Sequence, residues 1–254
     1  MIDPQHERTF EDRLGAFGLD ARRCVSVAYT WFAFDARISN DPDLLSRINK
    51  HAAFWVCVQH SWQATMFAAL GRLYDDDRNT HSGRQVVKYA EKYPSLFSRA
   101  ALRVRKTREG LSPGQADVFI EQWKEPTRTD LGALSAAFEQ QRDVYVAKAK
   151  DIRDDVFAHL ATITPAQRDA LFSAAPLRDL EGLVMFPLRL HRVLEAWYRN
   201  GYPVTLDEDV PVVIGDVLAK PVPPHTVTWE EQRHAATDVA RFVDWLSNLN
   251  DDGE

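Results

Sequence analysis

The sequence predicts an all-α fold, an up-down helical bundle with additional short helices. Three long stretches, at about residues 45–73, 128–157 and 177–199, repeat apolar residues every three or four positions. That spacing is typical of one face of an α-helix. Prolines and polar turns separate these stretches from shorter helical patterns, with no internal repeat or low-complexity segment. Continuous apolar stripes of this length predict helices that pack side by side.

Composition is that of an ordinary globular protein, because the 254 residues are 45% hydrophobic and 27% charged. The formal net charge of −6 gives no overall attraction for nucleic acid, so any such binding requires a local basic patch. The two cysteines, Cys24 and Cys57, lie in apolar helical patterns, which favours a reducing compartment over a disulfide framework. We see neither a signal peptide nor an apolar run long enough to span a bilayer, so we expect a cytoplasmic protein without a membrane partner.

The amino-terminal part predicts three helices in succession. Residues 5–19 predict a short amphipathic brace helix that ends near Gly18, and residues 20–38 predict a second helix. Asp41 is placed to cap the next helix, whose first residue is a proline. That helix is the first long one, and it ends at the run Asp75-Asp76-Asp77.

The middle of the chain continues the helical series. Three shorter helices are predicted at about residues 83–92, 94–108 and 112–123, each beginning at a serine, threonine or proline. The second long helix then covers residues 128–157. A short helix begins at Thr164 and Pro165, and Pro187 is expected to kink the third long helix.

The last fifty residues differ in composition from the bundle. Prolines and valine-rich runs predict an extended strap with a short strand or hairpin at residues 210–213 and 217–218. Thr228 and Glu231 have capping-box spacing and predict a terminal helix. The predicted domains are therefore a brace helix at 1–19, a bundle at 20–200, and a strap with its helix at 201–254.

One region of the chain is strongly basic. Between residues 84 and 108 a single acid, Glu91, accompanies eight basic residues. Helical spacing places three cations on one face and three on another: Arg84, Lys88 and Lys92, then Arg99, Arg103 and Lys106. Clustered cations are sufficient for contacts to an RNA backbone, but a solvated face that balances acids elsewhere explains them equally well.

The most informative stretch closes the second long helix and reads Ile152-Arg153-Asp154-Asp155-Val156-Phe157-Ala158-His159. Five residues separate Arg153 from His159, and a polar residue, Asp154, follows the arginine. This pattern resembles the HEPN superfamily, and its local wording looks most like the AbiU-like branch from abortive infection. Only these eight residues are specific, although the resemblance extends over about residues 20–200.

The resemblance implies a metal-independent endoribonuclease that needs no cofactor and acts as a homodimer with two motifs in one cleft. His159 would move protons to and from the ribose and leaving oxygens, while Arg153 would bind the phosphate. Asp154 would orient either of them. Such chemistry cuts RNA through a 2′,3′-cyclic phosphate and fits a toxin-like effector of antiviral defence, with an antitoxin or regulatory protein as a further partner.

Two points weigh against a simple transfer of the family's chemistry. In a regular α-helix Arg153 and His159 would lie about 120° apart, so the helix must bend or end there, or a second chain must complete the site. Some HEPN toxins carry a tyrosine two residues after the histidine, which a partner nucleotidyltransferase modifies, whereas this chain has Ala161. That departure puts this form of neutralisation in doubt.

Structural explanations remain for the same residues. Arg153 can pair with a neighbouring aspartate, and His159 can interact with a helix carboxyl end. The rival function is a non-catalytic helical protein for dimerisation or partner binding. It would allow both motif side chains to be buried or paired, whereas the enzyme needs them to face an open cleft.

Other candidate residues give weaker signals. The three aspartates at 75–77 with His81 are compatible with a metal site, but a polar turn between helices explains them better. His51, His60 and His191 lie on or beside apolar stripes and are expected to be core or boundary histidines, although His60 or His191 is also compatible with a cleft.

Overall fold

The computed structural model describes residues 3–77, 80–121, 123–158, 163–201, 204–206, 237–239 and 241–242. Within those ranges every regular element is helical and no strand occurs. The predicted all-α helical bundle is therefore confirmed. The strand pair expected at 210–213 and 217–218 and the capping box at Thr228 lie outside the described residues.

The α-helices are, in chain order, α1 (Pro4–Ser39), α2 (Pro42–Asn49), α3 (Ala52–Tyr74), α4 (Gly83–Lys92), α5 (Arg99–Arg108), α6 (Pro113–Phe119), α7 (Arg128–Lys148), α8 (Pro165–Ala174) and α9 (Leu177–Glu195). A 3-10 helix at Pro94–Phe97 precedes α5, and π-helical segments occupy Ile152–Ala158 and Ala196–Asn200. No described helix is long and apolar enough to cross a membrane.

The chain forms two compact units. The first unit contains residues 1–21 and 70–208, and the second contains residues 22–69 and 209–254. The domain division expected from the sequence, at residues 19 and 200, stays a prediction.

Helix α1 corrects one expectation, because it runs through Gly18 without a break. The buried side chains Phe10, Leu14, Phe17 and Ala21 follow one another at helical spacing on both sides of this glycine. Burial of that stripe outweighs the cost of about 1 kcal/mol that a glycine imposes inside a helix. A Cβ at residue 18 would overlap the imidazole of His191, so the glycine permits close packing against α9.

The prediction of one long helix at residues 45–73 is also wrong in one respect, because a turn at Lys50 and His51 divides this stretch into α2 and α3. Helix α2 buries Leu44 and Ile48 in the core of the second unit, whereas Ala52 at the start of α3 is exposed. The apolar stripe therefore does not form one continuous buried face. The start of α2 is as predicted, because the side chain of Asp41 accepts a hydrogen bond from the Leu44 amide at 3.0 Å.

Two helix starts predicted from local sequence signals in the first unit are confirmed, whereas the single helix predicted at residues 94–108 is divided at Ser98 into the 3-10 helix and α5. Ser112 and Thr164 each form a capping box at the first turns of α6 and α8. A third capping box, formed by Thr127 and Asp130, begins α7. These side chains satisfy amide groups that have no partner inside the helix, which fixes the start of each helix.

Helix α7 forms the centre of the first unit and packs against α4 and α9. The Phe138 ring of α7 stacks on Tyr74 with ring centroids 5.7 Å apart and meets Phe186 of α9 at 6.4 Å. Pro187 lies inside α9 among buried residues. The position of α7 matters for function because the residues of the HEPN-like motif follow it directly.

A buried ion pair connects the first turn of α1 to α5. Glu7 accepts a hydrogen bond from Arg105 at 3.2 Å and another from Arg108 at 2.9 Å. Burial raises the pKa of Glu7, but the hydrogen bonds from Arg108 and Arg105 outweigh it and leave the pKa below its ordinary value. Arg105 is only 4% exposed and also donates to the carbonyls of Leu96 and Tyr198.

The second unit has its own core, formed by Ala33, Phe34, Leu44, Ile48 and Val239. Trp55 and Trp62 of α3 pack against it. The start of α3 also presents apolar side chains to solvent, since Phe54 is 61% and Val56 is 63% exposed. Of the two cysteines, Cys24 is buried and Cys57 is exposed.

Candidate functional site

The HEPN-like motif begins where the helix changes its geometry. Helix α7 ends at Lys148, and after a turn at Ala149 the chain enters the π-helical segment Ile152–Ala158. π-Helical segments are rare in proteins as a whole, and those that do occur are often found at functional sites. The sequence predicts an α-helix to residue 157, so the π-helical geometry at Arg153 is a finding of the structure. His159 lies outside the described residues.

Arg153 is held by the residue that follows it. Its Nε donates to Oδ1 of Asp154 at 2.6 Å, and its Nη2 forms an ion pair with the same oxygen. The other carboxylate oxygen of Asp154 accepts from Lys150 Nζ at 2.7 Å. One carboxylate therefore binds two cations. The side chain of Arg153 keeps 28% of its surface exposed, so the residue is only partly covered by its neighbours.

A glycine of α3 makes room for the Arg153 side chain. A Cβ built at Gly71 would lie 2.6 Å from Nη1 of Arg153 and 2.7 Å from its Cδ. Both distances are shorter than a van der Waals contact. Gly71 therefore allows the arginine to lie directly against the backbone of α3, with Nη1 facing that helix.

Two stacked tyrosines lie beside the arginine. Tyr145 of α7 and Tyr74 of α3 are nearly parallel, with centroids 5.1 Å apart and an angle of 9° between the rings. Together with the contact between Gly71 and Arg153, this stacking shows that α3 and the chain from α7 onward run in opposite directions here. The Tyr74 hydroxyl donates to the carbonyl of Leu183 at 2.9 Å. The Tyr145 hydroxyl is buried and has no hydrogen-bond partner among the described residues.

Electrostatics fix the charge state of this cluster at neutral pH. Burial lowers the pKa of Arg153, but its hydrogen bond to Asp154 and the neighbouring Tyr145 outweigh this effect and raise the pKa. Burial raises the pKa of Asp154, but hydrogen bonds from Lys150 and Arg153 outweigh it and lower the pKa. Burial raises the pKa of Tyr145 to about 12. The site therefore contains a cationic arginine, an anionic aspartate and a neutral tyrosine.

The structure pairs part of the predicted RNA-binding patch with acids. Arg84 donates to Glu139 at 2.7 Å through Nε and also pairs with Asp76. Arg103 makes two hydrogen bonds to Asp117, at 2.5 and 2.8 Å. Lys106 is 9% exposed, binds Glu109 at 2.8 Å and lies over the Phe119 ring. These three cations have carboxylate partners within the chain.

The remaining three cations of that patch are exposed. Lys88 and Lys92 project from α4, and Lys92 Nζ lies 5.1 Å from the centroid of the Tyr93 ring. Arg99 donates to the carbonyl of Glu121 at 3.4 Å. Three of the six cations are therefore paired with carboxylates, among them the exposed Arg103, and the other three are exposed. Helical spacing alone does not reveal this difference.

Of the three aspartates at 75–77, Asp76 takes part in ion pairs of the first unit. Asp76 binds Arg84 and Arg142, which joins α4 to α7. Asp75 is close enough to act electrostatically on Arg153 and Tyr145. Among the residues that the structure describes, no group of three His, Cys, Asp or Glu side chains could hold a metal ion.

The other candidate histidines have different environments. His191 is buried and lies 3.8 Å from Glu195 through Nδ1. His51, His60 and His81 are exposed.

Sequence reasoning missed three residues of this cluster. Lys150 stands four residues before Asp154, a spacing that predicts an ion pair on a helix. Gly71 is an isolated glycine in an apolar helical pattern, where a packing reason is common. Tyr145 occupies an apolar stripe position, so its ring is predicted but its unpartnered hydroxyl is not.

Comparison with known families agrees with the motif and its helical setting. The model of the AbiU2 family of HEPN proteins matches residues 4–219. The chain belongs to the AbiU2 family. This AbiU2-family protein is thereby associated with abortive infection, as the residues around Arg153 indicate. The match to AbiU2 also extends beyond both ends of the resemblance seen in the sequence. Neither curated proteins nor solved structures gave a match.

Proposed function

We propose that this protein is a cytoplasmic, metal-independent endoribonuclease that acts as a toxin-like effector of abortive infection. One observation carries the proposal: the motif arginine is fixed by Asp154 and by close packing on Gly71, yet remains partly exposed. A partly exposed cation whose Nε is held on Asp154 is suited to a phosphodiester, because most of its position is set before the substrate binds.

The proposed reaction uses three residues of the motif. His159 takes the proton from a ribose 2′-hydroxyl, whose oxygen attacks the phosphorus, and a histidine then returns a proton to the leaving 5′-oxygen. Arg153 donates hydrogen bonds to the non-bridging oxygens as their charge is redistributed. Asp154 keeps the guanidinium oriented. The products are a 2′,3′-cyclic phosphate and a 5′-hydroxyl, and DNA is not a substrate because it has no 2′-hydroxyl.

We propose further that RNA binds through the basic patch and that the active form is a homodimer. Lys88, Lys92 and Arg99 are exposed and accessible to phosphates. Arg84, Arg103 and Lys106 can contribute only when RNA phosphates replace their carboxylate partners. An antitoxin or another regulatory protein is the expected third component.

The deciding experiment is cleavage of a mixed RNA pool in EDTA by wild type, His159→Ala and Arg153→Ala. We expect wild type to cut and leave cyclic phosphate ends, and both variants to lose at least about a hundredfold in rate. His51→Ala is the matched control, because His51 is exposed and lies outside the motif. Loss of activity in that control as well would point to a general effect of histidine removal.

A second candidate function, a non-catalytic dimerisation or interaction protein, is favoured by the exposed Phe54 and Val56 on α3. If a folded, dimeric wild type and His159→Ala leave the RNA pool equally intact, the interaction function gains support. Phe54→Glu would then be expected to abolish partner binding or dimerisation, measured by light scattering.

A further inference from the structure

The hydroxyl group of Tyr145 is the most unusual polar atom near the site. The residue is 3% exposed, and its hydroxyl has no hydrogen-bond partner among the described residues. Buried hydroxyl groups nearly always have a partner, because the loss of hydration is otherwise uncompensated. A phenylalanine would fill the same space without that cost, so the hydroxyl calls for a specific explanation.

Two contacts on α3 place the Tyr145 ring near Arg153. Tyr145 stacks on Tyr74, and Arg153 packs on Gly71, three residues earlier in the same helix. Three residues of an α-helix rise about 4.5 Å, which is less than one turn. A side chain on a helical segment points back towards its amino end, so Arg153 extends in the direction of Tyr145.

Of the three guanidinium nitrogens of Arg153, Nη1 is the one that does not bind Asp154. Nε and Nη2 both bind Asp154, while Nη1 is the atom closest to Gly71. Nη1 therefore faces the helix that carries Tyr74, on which Tyr145 is stacked. A neutral phenol can accept a hydrogen bond from a guanidinium N–H, and it adds no charge that would repel a phosphate.

Lys150 makes a movement of the guanidinium feasible. Asp154 is bound by Lys150 at 2.7 Å as well as by Arg153, so it keeps a cationic partner when Nη2 leaves it. When Nη2 moves to the phosphate, Asp154 is still bound by Lys150 and the guanidinium is bound by the phosphate, so both charges keep a partner. The movement needed is a turn of the guanidinium about its Nε, which can stay on Asp154.

We propose that Tyr145 is a positioning residue for Arg153, whose Nη1 donates to the Tyr145 hydroxyl when Nη2 turns from Asp154 to a bound phosphate. The role of that phosphate as the scissile group rests on the proposed ribonuclease function. Tyr145 itself does not touch the substrate. Its hydroxyl holds Nη1, while Nε binds Asp154 and Nη2 binds the phosphate.

The test compares wild type with Tyr145→Phe, and uses Tyr198→Phe as a matched control. Tyr198 is also buried, but its hydroxyl already donates to Glu11 at 3.0 Å, in contact with the Arg105 cluster and not with Arg153. We expect Tyr145→Phe to fold with an unchanged or higher Tm and to lose about tenfold in kcat, with KM within twofold. Tyr198→Phe should lower Tm and retain kcat.

A second readout uses inorganic phosphate and the side-chain Nε–Hε signal of Arg153 in nitrogen-15 NMR, assigned with Arg153→Lys. We expect phosphate to shift this signal in wild type, with a dissociation constant at least threefold weaker in Tyr145→Phe. Equal constants in the two proteins, or no phosphate effect on wild type, would overturn the inference. Equal kcat values in a wild type that cuts RNA would overturn it too.

The two readouts separate this inference from the proposed function. A wild type that does not cut RNA removes the ribonuclease proposal, and the phosphate titration alone then decides the role of Tyr145. A Tyr145→Phe protein that loses Tm and activity together would have a merely structural tyrosine, which is also a negative result.

Discussion

Replacement of Gly71 by alanine tests whether the position of Arg153 matters more than its charge. The added Cβ would lie 2.6 Å from Nη1 and 2.7 Å from Cδ of the arginine. Carbon and nitrogen atoms in contact are usually at least about 3.5 Å apart, so the guanidinium must move by about 1 Å. The rest of the motif, including its net charge, stays the same.

The expected cost falls on the reaction and not on the fold. A displacement of about 1 Å at a reacting group can lower a rate by about a hundredfold. The free energy of unfolding should change by less than about 1 kcal/mol, because alanine favours the helix by about that amount while a partly exposed ion pair is weakened. We therefore expect a folded protein with about one per cent of wild-type activity.

The assay is single-turnover cleavage of a labelled RNA, together with urea unfolding. Gly182→Ala is the matched control, since Gly182 lies inside α9 with no atom within 4 Å of a built Cβ. It should gain stability and cut at the wild-type rate. A Gly71→Ala protein with full activity would refute the argument that close packing on α3 sets the position of Arg153.

Three further predictions concern other charged groups. Asp154→Asn keeps the shape of the side chain but weakens its hold on Arg153, so the cleavage rate should fall about tenfold while RNA binding, measured by fluorescence anisotropy, is retained. Glu7→Gln should lower the free energy of unfolding at pH 7 by about 3 kcal/mol. Because folding lowers the pKa of Glu7, the stability that its carboxylate contributes is complete above the ordinary pKa of 4.5 and is lost as pH falls through the lower folded-state pKa. The free energies of unfolding of variant and wild type, measured in urea, should therefore converge in acid. Lys88→Ala should reduce the slope of log K against log salt by about 0.7 for single-stranded RNA, whereas Arg103→Ala should change it less, because Asp117 already neutralises that arginine. Equal slopes for these two variants would contradict the division into exposed and paired cations.

Local signals in the sequence were sufficient for most helix starts. Asp41, Ser112 and Thr164 cap helices as predicted, because a cap depends on residues within one turn. The division between α2 and α3 was not predictable in this way. It depends on which residues the rest of the second unit buries, and periodicity along the chain carries no such information.

The same distinction applies to the candidate site. Arg153 and Asp154 follow from a short pattern, and their ion pair joins neighbouring residues. The packing of Arg153 on Gly71 and the pairing of Arg84 with Glu139 join residues that are distant along the chain. Charge counts along a helix identify cations but not the carboxylates that meet them in the folded protein.

The exposed thiol of Cys57 offers a practical reporter for the start of α3. It lies next to the exposed Val56, while Cys24, the only other cysteine of the sequence, is buried. A maleimide reagent should therefore modify one site in the native protein and two after denaturation. The rate of that alkylation depends on access to this apolar surface, so its decrease with increasing protein concentration would show that another copy of the chain covers α3.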